Sequence, residues 1–131
     1  MALLEELILN LIDFFILVVA IVFNASANIL LKFGMQKTQQ MSDVGLKGML
    51  LNSITNVYVW LGLISFGVAF IFYSVVLTKM KLGIAYPIMT SAGFVIVTLF
   101  AVFLFDEKMS WLKIAGIVII ALGIWLISIA K

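Results

Sequence analysis

Four apolar runs, each long enough to cross a bilayer, dominate this chain of 131 residues. They lie at about Phe14–Leu31, Val57–Leu77, Ile84–Phe105 and Trp111–Ala130. A helix needs about 20 residues to traverse the hydrocarbon layer. Apart from Lys113, at the third position of the last run, none of the four carries a charge. A soluble helical protein with a greasy core would need polar residues to cover its outside. With 66% hydrophobic and 11% charged residues, the chain lacks them. The fold class is therefore an all-α membrane protein: four transmembrane helices in a single domain over residues 1–131, with the lipid bilayer as first partner.

The first run reads as a retained span. Glu5, Glu6 and Asp13 precede it where a secretory signal would be basic, and no clear small-residue cleavage site follows. There is no cysteine and no histidine, and only six carboxylates. Disulfides, thiolate metal sites and cysteine nucleophiles are excluded, and a metal centre or catalytic triad is hard to assemble. No cofactor, metal or enzymatic activity is expected. A net charge of +2 suggests no nucleic-acid partner.

All eight basic residues are lysines. An even number of spans puts both termini on one side, with Lys79, Lys81 and Lys131. Lys32, Lys37, Lys47, Lys108 and Lys113 fall on the other. Three against five is a weak bias, compatible with either orientation or both, and slightly favours cytoplasmic first and third loops. The first loop, Lys32 to Asn56, is the long one; Gln36, Lys37, Thr38, Gln39, Gln40, Ser42 and Asp43 make it polar. Its second half, Val44–Leu51, fits a short interfacial helix. The other loops, Thr78–Gly83 and Asp106–Ser110, are tight, so neighbouring spans run antiparallel. The start, Ala2–Asp13, either lengthens the first helix or rests on the surface. Pro87 falls in the first turn of span three, where a missing amide hydrogen costs nothing.

Polar groups inside the spans are few. Asn24 and Asn28 are four residues apart and share a helix face, which Lys32 continues at the membrane edge. Two readings stand for this stripe. It is either glue between helices, worth about 1 kcal/mol or less per hydrogen bond, or the lining of a substrate cavity. Span three presents Tyr86, Thr90 and Gly93 on one face. Tyr86 serves as a lining residue or an interfacial anchor, and Tyr73, late in span two, reads as an anchor. In span four Gly116 and Gly123 share a face through which a second helix could approach closely, a candidate dimer interface.

The stretch Gly83-Ile84-Ala85-Tyr86 resembles the opening of the third span in small multidrug resistance proteins, within the drug/metabolite transporter superfamily. Gly116 to Gly123 resembles their span-four dimerisation motif, and Leu31-Lys32-Phe33 the end of their first span. The resemblance implies a four-helix subunit, a dimer that is often antiparallel, and a cavity lined by spans one to three. In the drug exporters a first-span glutamate binds protons and cationic drugs in turn. Counting eight residues back from Lys32, the matching position here is Asn24. Gly-Ile-Ala-Tyr86-Pro87 is similar to the branch that moves undecaprenyl-phosphate-linked aminoarabinose. Phe94 to Thr98 and Asp106-Glu107-Lys108 also fit that branch and the EamA-type relatives.

The expected function is a flippase for a polyprenyl-phosphate-linked sugar in a bacterial inner membrane. Asn24, Asn28, Tyr86 and Thr90 would meet the headgroup, and Lys32 would pair with its phosphate. The alternative is an exporter of drugs or metabolites. Its one candidate carboxylate, Asp13, lies about three turns from Asn24, near the opposite membrane edge. A third reading is a non-transporting partner subunit. Homodimer and paired heterodimer both fit.

Overall fold

The structure, a computed structural model, describes residues 1–40 and 45–129. The polar loop residues Ser42 and Asp43, the expected interfacial-helix start at Val44, and Ala130 and Lys131 at the C-terminus lie outside the described residues. Five helices follow one another: α1 (Ala2–Gln40), α2 (Leu46–Ile54), α3 (Val57–Leu77), α4 (Leu82–Phe105) and α5 (Trp111–Ile129). Four of them, α1, α3, α4 and α5, are long and apolar enough to cross a membrane. The chain is an all-helical, multi-pass membrane protein.

The first helix is longer than its apolar run. Its 39 residues span about 58 Å at 1.5 Å per residue, nearly twice the hydrocarbon thickness of about 30 Å. The Ala2–Asp13 segment continues α1. At the other end, Lys32–Gln40 is helical, although the sequence assigned it to a long loop. Its Lys and Gln residues are good helix formers, and its one glycine, Gly34, is packed instead of frayed. The connection thus shrinks to a short segment followed by α2, which runs from Leu46 and buries no residue.

A repeat of seven builds the central seam. Ala20, Ala27 and Gly34 are buried along α1, and Gly62, Ala69 and Val76 along α3. Seven residues are close to two helical turns, so each triplet forms a straight stripe. The stripes meet antiparallel. A Cβ added at Gly34 would lie 2.9 Å from Val59 Cγ2. One added at Gly62 would lie 2.9 Å from Leu31 Cγ and 3.2 Å from the Ala27 carbonyl oxygen. Small residues let the backbones come this close, and the contact replaces a hydrophobic driving force that lipid does not supply. Asn56 locks the wide end: its side chain caps α3 by accepting from the Tyr58 amide at 2.9 Å and donates to the Gly34 carbonyl at 2.9 Å. Thr38, buried, also donates to Gly34 at 3.0 Å.

Helix α4 packs on another side of α1, through Leu17, Ile21, Ala85 and their neighbours. Although α3 and α4 are joined by a tight turn, they barely touch; α1 lies between them. Among the described residues α5 touches α4 alone and buries nothing. The spatial order is therefore α3, α1, α4, α5. Asp106 ends α4 in the left-handed conformation (φ 51°), which its short polar side chain tolerates. Pro87 falls at the sixth residue of α4, in the second turn and not the first, because the helix starts at Leu82. The Gly83 carbonyl therefore cannot receive its intrahelical bond, and this turn is the weakest point of the helix backbone.

Candidate functional site: a cleft between three spans

The arrangement leaves a wedge. With α3 and α4 splayed on either side of α1, a cavity of about 370 Å³ opens between them. Asn24 forms its floor from α1. Phe66, Ala69, Phe70 and Tyr73 line the α3 wall; Tyr86, Met89 and Thr90 line the α4 wall. On each wall the residues recur at three- and four-residue intervals, the spacing of one helix face.

Polar groups in this wall are few and uncharged. The Asn24 amide nitrogen lies against Gly93 of α4, where an added Cβ would be 3.3 Å from it. Gly93 thus lets α4 pass over the asparagine. The Thr90 hydroxyl donates to the Tyr86 carbonyl at 2.9 Å, leaving its lone pairs to accept. The Tyr73 hydroxyl oxygen is buried and makes no hydrogen bond to the described residues. Among the described residues no carboxylate and no amine lines the cavity.

Asn24, Tyr86 and Thr90 come together here, as two helix faces read from the sequence converge. Asn28 and Lys32 do not join them. The Asn28 amide folds back onto its own helix, donating to the Asn24 carbonyl at 2.9 Å. Lys32 stands two turns beyond Asn24, about 12 Å along the axis. There its ammonium lies 4.0 Å from Glu107 and 5.8 Å from the centre of the Phe105 ring. Glu107 also holds Lys113, at 3.4 Å. Lys32 thus faces the α4–α5 corner, in a loose and half-exposed pair with Glu107. Tyr73, expected as an interfacial anchor, is part of the cavity wall. Its three-residue step from Phe70 and seven-residue step from Phe66 carry that signal in the sequence. Asp13 is not among the lining residues.

The sequence model of the family described as Small Multidrug Resistance protein matches residues 49–120. The chain belongs to the small multidrug resistance family. This makes it a small membrane transporter of the multidrug-resistance kind, from a family of transporters and not enzymes. The matched stretch holds both cavity walls, on α3 and α4, and the first half of α5 with Gly116. The helix that carries Asn24 lies outside the matched stretch.

A second depression, apolar and of about 620 Å³, lies between α1 and α4, along Val22, Ile29, Ile96 and Phe100 among others. At the far end of α3 a third, of about 320 Å³, is walled by Lys37, Asn52, Thr55 and Asn56. In span four Gly116 and Gly123 both look onto open space, with nothing within 4 Å of an added Cβ.

Proposed function

We propose that this small multidrug resistance protein carries a substrate whose headgroup is uncharged or anionic, and that the substrate is a polyprenyl-phosphate-linked sugar flipped across a bacterial inner membrane. One observation supports this most: the cavity around Asn24 offers an amide, a threonine hydroxyl and two tyrosines on aromatic walls, without a carboxylate. Binding a cation inside a bilayer calls for a buried negative partner. Sugar hydroxyls instead want neutral donors and acceptors in register, beside flat apolar faces. At about 370 Å³ the cleft suits a headgroup and not a long prenyl chain. The tail would stay in lipid along apolar surface such as the α1–α4 groove.

In this reading Asn24, Tyr86 and Thr90 bind the headgroup, and Asn28 supports the Asn24 turn. Lys32, half exposed and only loosely paired with Glu107, turns toward the phosphate. The whole chain acts as one four-helix unit. It pairs with a second copy or a related subunit through the Gly116–Gly123 face, in one or both orientations. The kinship with the aminoarabinose-lipid flippases and the EamA-type proteins belongs to the same proposal.

Reconstitution in liposomes tests it. A labelled polyprenyl-phosphate pentose should cross faster with the protein than without, and Asn24→Ala and Lys32→Ala should each slow the crossing several-fold. Unchanged flipping in both variants would show that the site is misplaced. The family match also suggests the runner-up, a drug or metabolite exporter. Proton-coupled uptake of a lipophilic cation by the native protein would decide for that reading.

A further inference from the structure

The Tyr73 hydroxyl is the one polar side-chain atom among the described residues that is buried yet has no hydrogen-bond partner. Tyrosine is rarely left this way, because a buried phenol finds a partner wherever one is in reach. Its neighbours explain the vacancy. The ring packs with Leu17, Ile21, Val76 and Ala85, which offer no polar side chain. The Thr90 hydroxyl, which shares the cavity, donates to the Tyr86 carbonyl and does not bond the phenol. Tyr73, a wall residue of the cavity that holds Asn24 and Thr90, therefore keeps the donor and acceptor positions of its hydroxyl unused just behind that wall.

We propose that Tyr73 is a specificity-determining residue whose hydroxyl is completed by a hydroxyl of the bound sugar headgroup. The proposal rests on the flippase reading above. It assigns to α3 a polar contact that the α1 and α4 residues cannot supply, so the headgroup is held from all three sides of the wedge. A ligand that brings a hydroxyl satisfies the orphan. A ligand of similar shape without one leaves it buried and unpaired, and is rejected by that difference. Phenylalanine at the same place would fill the same ring volume and lose only the discrimination.

The test uses the full chain in lipid nanodiscs and two probes, a polyprenyl-phosphate pentose and the bare polyprenyl phosphate. The native protein should bind the pentose-bearing lipid more tightly. Tyr73→Phe should weaken binding of that lipid by about tenfold and leave the bare phosphate unchanged, so that the preference collapses. A second measurement needs no variant: with ¹³Cζ-labelled tyrosine, the Tyr73 resonance should shift on adding the pentose lipid and not the bare one. If the native preference exists but survives Tyr73→Phe with no resonance shift, the assignment to Tyr73 is overturned while the flippase reading stands. If the native protein shows no preference for the pentose, both fall together.

Discussion

Asn24 is the residue that α1 contributes to the cavity. An amide has two donors and two lone-pair sites but does not titrate, so binding through it carries no proton in exchange. A carboxylate at this place would stand beside Phe66, Phe70 and Met89, where a cation would find a negative partner inside the bilayer. Asn24→Glu should therefore confer binding of a lipophilic cation such as tetraphenylphosphonium. The sign follows from ionisation: only the anion pairs with a cation, so affinity should grow as pH rises and fall as the carboxyl is protonated. Titrating cation binding from pH 5 to 9 in detergent checks this; a flat profile would show that the position does not face the binding volume. The asparagine was legible in the sequence, since an uncommon polar group in an apolar run stands out. Tyr73 was legible only as one helix face with Phe66 and Phe70; that its hydroxyl is buried without a partner was not, because a tyrosine near a span end looks the same whether it meets headgroups or a cavity.

At the scale of elements, the α1–α3 seam carries the cleft. Gly62 and Gly34 permit contact between backbones, and their replacement meets atoms that cannot easily move: a Leu31 branch point and the Ala27 carbonyl on one side, Val59 on the other. Gly62→Ala should cost about 1–3 kcal/mol of subunit stability through overpacking. Gly67→Ala, whose Cβ meets nothing within 4 Å, should stay within about 0.5 kcal/mol of native. Unfolding of both variants in mixed micelles compares them directly; equal losses would contradict the seam. The spans themselves were plain from hydropathy, and three of the four bounds fall within about two residues of the helices. The ends of α1 were not. Hydropathy marks where a helix meets water, not where it stops, and Lys32–Gln40 stays helical because α3 packs alongside it. In the same way Lys32 looked like the end of a polar stripe. Its partner, Glu107, lies 75 positions away, and only the fold brings the α4–α5 corner beside the end of α1.

For the whole molecule, α5 is the element without a home. Among the described residues it touches α4 alone, buries no residue and presents Gly116 and Gly123 to open space. A membrane helix with small residues on a free face is suited to close pairing with another. Substituting both, Gly116→Leu and Gly123→Leu, should leave the subunit's helicity unchanged and shift it from dimer to monomer. Native mass spectrometry from detergent, or cross-linking in vesicles, reads the outcome; a dimer that persists at native strength would place the interface elsewhere. The sequence by itself determined that the chain is a four-span membrane protein, that no carboxylate stands at mid-membrane, and which helix faces are small or polar. These are properties of local hydropathy and of the 3.6-residue turn, and neither needs a partner. Only the tertiary structure decided that α1 lies between α3 and α4, that Asn24, Tyr73, Tyr86 and Thr90 share one cavity, and that Lys32 faces Glu107. Each of these joins residues from different helices. Which faces meet is set by how closely small residues let backbones approach, a property of pairs of helices and not of any one of them.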